Sequence, residues 1–192
     1  MKILGISSAT KTISVGLVDQ DKLLAELTFS GLEAFTEDLI VYIKKIIDES
    51  GVKPECIAVT EGPGAYSGLR GGMATAKTLA QVMKIPVVGV STLEAIAYNM
   101  IDVDGTVAAV THAKSDDYNF ALFGIANREI KRLTDDLLVS KDRLEKKLAH
   151  IKRCDGLPRG SSVAFLAQGK EKVDLLKLHP KYSHKPNIRE YK

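Results

Sequence analysis

The amino-acid sequence predicts an α/β fold that opens with three strands and then alternates helices with strands. Apolar and polar residues alternate between residues 2 and 29, as expected for strands with one buried face. Capping-box spacing at residues 30–33 and 91–94 precedes two helical patterns. A glycine-rich stretch at 62–72 follows a short apolar run, which is typical of a strand, a tight turn and a helix.

The predicted order of elements in the first half is βββαβαβα. We expect strands at residues 2–6, 12–18, 23–29, 57–60 and 86–90, and helices at 30–50, 69–83 and 91–100. A three-strand meander before the crossovers is unusual for a Rossmann unit and is used by actin-like ATPase domains. The sequence therefore predicts one complete lobe of the actin-like ATPase (ribonuclease H-like) fold.

The second half predicts a smaller lobe. The stretch 102–105 is typical of a domain junction, so we expect lobes at residues 1–101 and 102–192. Strands are expected at 106–112, 118–125, 129–139 and 163–168, helices at 142–150 and 171–178, a loop at 153–160 and a polar tail from 179. This half is too short to repeat the first, which indicates a reduced second lobe.

Composition and charge place the chain among ordinary globular proteins. The net charge is +3 and 45% of the residues are hydrophobic. Cys56 and Cys154 lack the spacing of a zinc site or a disulfide framework. No stretch approaches the ~20 apolar residues of a membrane span. We therefore expect a cytoplasmic protein without membrane contact.

The first two predicted helices carry the apolar surface that could meet a partner. Apolar residues of the first helix cover an arc of about 160°, whereas one sheet face needs roughly 100°. Either this helix is buried between its sheet and a neighbouring helix, or it packs on a partner as well. The second helix is rich in small residues that let another helix approach. The predicted interface is Phe35, Leu39, Tyr42, Ile43, Ile46, Met73, Ala76, Lys77 and Ala80.

The order of residues in the glycine-rich stretch resembles a known family. Residues 62–70 are similar to GPGSFTGLR, the signature of the bacterial TsaB (YeaZ) family, and residues 74–77 and 86–95 are similar to its ATAKGLA and PxxGVSSLEA segments. Residues 6–10 resemble the family's DTAT-type opening, and residues 186–189 faintly resemble its closing P-x-Y-x-R. The motif residues of the loop are Gly62, Pro63, Gly64, Tyr66, Ser67, Gly68 and Arg70.

The resemblance implies a non-catalytic subunit that binds and activates TsaD, a transferase that modifies tRNA. TsaD places threonylcarbamoyl on the adenosine 3′ of the anticodon in tRNAs that read codons starting with A. The resemblance further implies binding to TsaD through the first two helices, association with the small ATPase TsaE, and a homodimer when the chain is alone. This chain would associate with tRNA indirectly, through the complex.

The residues expected for catalysis in an actin-like site are altered. Ser7 stands where many relatives have the aspartate that holds Mg²⁺, and His112 aligns with a second carboxylate position. Asp116 and Asp117 follow at shifted positions. We therefore predict no catalytic residue, no metal and no cofactor beyond weak nucleotide binding. The glycine-rich stretch is interpreted as a rigid turn that aims the second helix.

Two alternatives remain open at this stage. The first is a small ATP-binding phosphotransferase or ATPase that uses the glycine-rich turn for phosphate. The second is a glycoprotease-type metallopeptidase, which is disfavoured because the four histidines include no HxxxH pair.

Overall fold

The computed structural model describes residues 1–30 and 38–183, which form two sheets and five helices. The strands are β1 Lys2–Ser7, β2 Thr12–Asp19, β3 Lys22–Ser30, β4 Cys56–Gly62, β5 Val87–Ser91, β6 Gly105–His112, β7 Asp117–Ala126, β8 Glu129–Arg132, β9 Leu137–Ser140 and β10 Lys152–Cys154. The helices are α1 Leu39–Ser50, α2 Tyr66–Met83, α3 Thr92–Ala97, α4 Lys141–Leu148 and α5 Gly160–Leu166. The mixed α/β class is confirmed.

The first sheet has the strand order β3-β2-β1-β4-β5. Strands β1, β2 and β3 run antiparallel as a meander, and β1, β4 and β5 are parallel. The central strands β1 and β4 are buried along almost their whole length, as their continuous apolar runs require, whereas β3 at the edge is half exposed. The βββαβαβα order therefore holds as predicted.

Helices α1 and α2 cover one face of this sheet and share its larger core. Gly51 ends α1 in the left-handed conformation, at φ 65°, as its position in the sequence predicts. The described part of α1 begins at Leu39. The predicted interface residue Phe35 lies outside the described residues. The same holds for residues 31–33 of the predicted helix start.

The second sheet has the order β10-β6-β7-β8, with β9 also paired to β7. Two strands, β8 and β9, form where a single strand was predicted at 129–139. The residues between them do not continue the regular backbone pairing with β7. There the Leu133 N–H donates to the Leu122 carbonyl at 2.8 Å, and Thr134 Oγ1 accepts from the Leu122 N–H at 2.9 Å. The first two residues of the loop predicted at 153–160 belong instead to β10, which pairs with β6.

The C-terminal segment differs most from the prediction. Residues 163–168 were expected to form a strand, but the chain forms helix α5 there. The helix predicted at 171–178 is irregular, and Val173 makes a bridge with Val87 at the edge of the first sheet. Residues 160–178 thus return to the first lobe, where Leu178 lies in the core. The division into lobes at residues 1–101 and 102–192 stays a prediction, although residues 160–178 pack on the first sheet.

Helix α5 docks on the first sheet through glycines. A Cβ on Gly5 would lie 2.0 Å from the Gly160 carbonyl oxygen, and one on Gly16 would lie 2.3 Å from the Ser161 nitrogen. The first N–H groups of α5, which have no partner within the helix, are satisfied by β2 and β3: the Gly160 N–H donates to Ser14 Oγ and the Ser161 N–H donates to Glu26 Oε1, both at 2.9 Å. This close packing holds α5 on the face opposite α1 and α2.

Candidate functional site

The glycine-rich turn packs directly on the turn between β1 and β2. A Cβ on Gly64 would lie 2.3 Å from the Ala9 carbonyl oxygen, and one on Gly68 would lie 2.0 Å from the Ser8 carbonyl oxygen. Ser8 Oγ donates to the Gly68 carbonyl at 2.8 Å, and the Ala65 N–H donates to the Ala9 carbonyl at 2.7 Å. The missing side chains allow backbone to approach backbone here. The turn therefore fixes the start of α2.

A cleft of about 620 Å³ separates the two lobes beside this turn. Its walls are the β1–β2 turn, the start of α2, the ends of β6 and β7, and the loop after β10. The lining residues are Ala9, Thr10, Lys11, Thr12, Ala65, Val110, Thr111, His112, Ala113, Tyr118, Arg153, Asp155, Gly156 and Leu157. Of the glycine-rich motif, Ala65 lines this cleft.

Three titratable groups of the cleft, Arg153, Asp155 and His112, are engaged in hydrogen bonds. Arg153 Nε donates to Asp155 Oδ1 at 2.6 Å, and Arg153 Nη1 donates to Glu145 Oε1 at 2.8 Å. His112 Nε2 donates to the Ser115 carbonyl at 2.7 Å. Lys11 is the remaining cation of the lining. The cleft therefore has positive groups for an anion, but its one carboxylate, Asp155, is already paired.

Of the two positions that usually supply carboxylates, His112 lines the cleft and Ser7 does not. Ser7 is fully buried, and its Oγ has no hydrogen-bond partner among the described residues. Asp116 lies in the turn after β6 and Asp117 begins β7, and neither is part of the lining. In residues 1–30 and 38–183, no three His, Cys, Asp or Glu residues are close enough together to hold a metal ion. The cleft as built cannot hold Mg²⁺ between two carboxylates.

A second, charged pocket of about 350 Å³ joins the lobes at the carboxyl ends of β4 and β5. Arg132 Nη2 donates to Ser91 Oγ at 2.7 Å, so β8 is tied to the start of α3. Lys170 pairs with Glu94 at 2.7 Å. No local sequence pattern predicts this cluster, because its partners are 41 and 76 residues apart along the chain. Within this pocket the Arg132–Ser91 hydrogen bond ties the two lobes together.

The predicted interface residues differ in how far their side chains are buried. Six of them lie in the chain's own core and are at most 3% exposed: Leu39, Ile43, Ile46, Met73, Ala76 and Ala80. In the isolated chain these six side chains pack against the sheet and the neighbouring helix, and their part in a partner interface stays a prediction. Tyr42 is half-buried and its ring stacks on Phe29 at 3.6 Å, and Lys77 is half-buried on α2.

Three other apolar residues of the same helices are exposed. Ile40 and Val41 on α1 are 48% and 59% exposed, and Val82 on α2 is 73% exposed. We call these three residues the outer face. The helical periodicity included Ile40 in the arc but placed Val41 on the opposite side. The excess of apolar surface is real, but different side chains carry it.

The far edge of α2 lies against the C-terminal segment. The Arg70 guanidinium lies 4.5 Å from the centre of the Tyr66 ring, which is 4.9 Å from the Tyr182 ring. A groove of about 480 Å³ runs beside them. It is lined by Arg70, Met73, Ala74, Lys77, His179, Pro180 and Tyr182. Tyr66 and Arg70 thus lie at this groove and not at the interlobe cleft.

The strand order and the interlobe cleft define a protein of the actin-like (ribonuclease H-like) fold with a reduced second lobe. The family model described as "TsaD: tRNA N6-adenosine threonylcarbamoyltransferase" matches residues 22–176. The chain therefore belongs to this family, within which the relatives below place it in the TsaB (YeaZ) branch, as the glycine-rich motif predicts. Within residues 1–30 and 38–183, no helix is long and apolar enough to cross a membrane.

Curated relatives and solved structures agree on this assignment. The Bacillus subtilis "tRNA threonylcarbamoyladenosine biosynthesis protein TsaB" is 27% identical, over 95% of this chain and 93% of its own. The Escherichia coli protein of the same name is 32% identical over 50% of this chain and 43% of its own. The structure "YeaZ from Pseudomonas aeruginosa" superposes with a TM-score of 0.81 at 20% identity, covering 94% of this chain and 99% of that one. That superposition confirms the fold.

Proposed function

We propose that this chain is a non-catalytic subunit of the cytoplasmic machinery that forms threonylcarbamoyladenosine in tRNA. It binds a TsaD-type transferase and raises the activity of that enzyme on the adenosine 3′ of the anticodon in tRNAs that read A-starting codons. The B. subtilis relative, similar over nearly its full length, is named for this pathway. A TsaE-type ATPase joins the same complex.

The outer face is the observation that carries this proposal. Ile40, Val41 and Val82 are each about half exposed or more, although the helices that bear them are otherwise well packed. Apolar side chains that stay exposed on both α1 and α2 are candidates for contact with a partner. The occupant we propose is a TsaD-type transferase, because the chain belongs to the TsaD family and two such folds can pair equivalent helices. A second copy of this chain would compete for the same face.

The chemistry of the cleft argues against the alternative of a small phosphotransferase or ATPase. Phosphoryl transfer depends on a metal held by carboxylates near the phosphates. Here Ser7 is enclosed and Asp155 is paired with Arg153, so neither is free to hold Mg²⁺. A metallopeptidase lacks a ligand set in the described residues.

The test is complex formation between the purified chain and the TsaD-type transferase of the same organism. Val41→Glu and Val82→Lys should each weaken the complex by at least tenfold in size-exclusion chromatography and calorimetry, because a charge would be buried at the contact. Both changes suit their helix ends, since an acid fits the first turn of α1 and a base fits the last turn of α2. They should therefore leave the protein folded.

Leu176→Glu is the matched control, because Leu176 is 80% exposed and lies outside both helices. It should leave the complex intact. The tRNA threonylcarbamoylation rate of the transferase should rise with the wild-type chain and the control, and should rise little with the two outer-face variants. Absence of a complex and of any stimulation would overturn the proposal. A homodimer broken by the same variants, without any effect on the transferase, would assign the face to a second copy.

A further inference from the structure

The far edge of α2 combines positive charge with flat side chains. Arg70 and Lys77 are seven residues apart, so they lie within about 20° of each other around the helix. In the described part of the chain neither residue makes an ion pair, and the groove beside them is lined by no acidic side chain. The charge of this edge is therefore available to an anionic partner.

The aromatic part of this edge is arranged for stacking. The Arg70 guanidinium, the Tyr66 ring and the Tyr182 ring contact one another in sequence, at 4.5 Å and 4.9 Å between centres. Tyr66 remains 42% exposed. Unstacked bases bind on aromatic rings and guanidinium planes, and phosphates bind beside them on Arg and Lys.

The opposite wall of the groove is held in place by the first sheet. The Lys181 N–H donates to the Glu61 carbonyl at 2.6 Å, and Lys181 Nζ pairs with Glu61 Oε1 at 2.6 Å. A Cβ on Gly62 would lie 2.0 Å from the Lys181 carbonyl oxygen, so only glycine allows the segment to lie there. The glycine-rich turn thus positions Tyr182 beside Tyr66, and the groove is pre-organised.

The groove is separate from the outer face. Val82 lies about 120° around α2 from Arg70 and about 140° from Lys77. A transferase bound at the outer face would leave the other edge of α2 open.

We propose that this edge, which we call the basic groove, binds single-stranded RNA of the tRNA substrate, such as its anticodon loop. Arg70 and Lys77 contact phosphates, and a base stacks on the group formed by Arg70, Tyr66 and Tyr182. The choice of tRNA as the RNA rests on the proposed function. The contact itself would make this chain a direct part of substrate binding and not only a scaffold.

The experiment measures binding of a fluorescein-labelled tRNA anticodon stem-loop to the isolated chain by fluorescence anisotropy, without the transferase. Lys77→Ala should weaken binding and lower the slope of log K against log salt by about 0.7, the value for one lost phosphate contact on a single strand. Lys44→Ala is the matched control. It removes the same charge from an exposed residue on α1, where Lys44 pairs with Asp48, and should leave affinity and slope near wild type.

The stacking group has its own pair of variants. Tyr66→Ala should weaken binding by about tenfold, whereas Tyr66→Phe should keep most of the affinity because it keeps the ring. Circular dichroism of each variant checks that the fold is intact. Failure of the stem-loop to bind, or equal losses for Lys77→Ala and Lys44→Ala, would overturn the basic groove. Since the outer-face variants are scored on the transferase complex, a negative result here leaves the proposed function standing.

Discussion

Replacing Gly16 with alanine should destabilise the protein by about 2–5 kcal/mol, because α5 lies directly on the backbone of β2 there. The added Cβ would lie 2.3 Å from the Ser161 nitrogen and 2.7 Å from the Gly160 carbonyl carbon. Both are backbone atoms, which cannot rotate away as the end of a side chain can. Helix α5 would have to move outwards by about 1 Å to restore ordinary van der Waals contact.

The magnitude follows from what α5 loses in that movement. A gap of up to about 1 Å forfeits a quarter to a half of a side chain's contact energy. The Val163 and Leu166 side chains of α5 are buried against the sheet. Full burial of such a side chain contributes about 1.5–3 kcal/mol to the free energy of unfolding. The bonds from the Gly160 and Ser161 N–H groups to β2 and β3 stretch as well, which costs about 1–2 kcal/mol more.

Urea unfolding followed by circular dichroism measures this loss. A thermal melt should show the midpoint lowered by about 5–15 °C for a chain of this size. Gly124→Ala is the control, because a Cβ there would meet Leu133 at 3.6 Å, an ordinary contact. Equal stability of the two variants would refute the close packing of α5 on the sheet.

Two further predictions concern buried groups. Ile43→Glu should destabilise the isolated chain by about 3 kcal/mol or more, because Ile43 is 1% exposed in the core, whereas Val41→Glu should change stability by less than about 1 kcal/mol; equal melting temperatures would contradict this division. Burial raises the pKa of the Cys56 and Cys154 thiols above 9.0, so the native state keeps both protons to higher pH than the unfolded chain does. The two protonated thiols therefore stabilise the native state fully below about pH 9, and this stabilisation is lost as the pH rises through their raised native-state pKa values. Above about pH 9 the urea midpoint should fall less steeply with pH in a Cys56→Ala, Cys154→Ala double variant than in the wild type. Parallel pH profiles for the two proteins would contradict the effect.

Local patterns predicted the first lobe well because its signals are short in range. Alternation of apolar residues gave β1 and β2, and Gly51 gave the end of α1. Ser91 accepts from the Glu94 N–H at 3.4 Å, as the capping spacing predicts. Each of these depends on residues within a few positions of one another.

The C-terminal third was predicted poorly because its structure depends on distant contacts. Residues 163–168 have enough apolar character for a short buried strand. They form a helix because Gly5 and Gly16 leave room for its backbone, and because Ser14 accepts a bond from its first N–H. These partners are more than 140 residues away, where no local pattern reports them.

The candidate surfaces show the same division. Helical periodicity indicated an apolar excess on α1 and α2, but it could not separate core from surface. The burial of Ile43 and the exposure of Val82 depend on where the sheet lies. The pairing of Tyr66 with Tyr182 depends on a C-terminal segment that crosses back to β4.

The sequence by itself determined the family, the order of the first eight elements and the glycine-rich turn, because these follow from local spacing and residue identity. Only the tertiary structure decided which helix residues face outwards and that residues 160–166 form a helix on the first sheet. It also brought Arg70, Lys77 and Tyr182 to one groove. The physical reason is that burial and close approach are properties of surfaces assembled from distant segments, and these exist only once the sheet has formed.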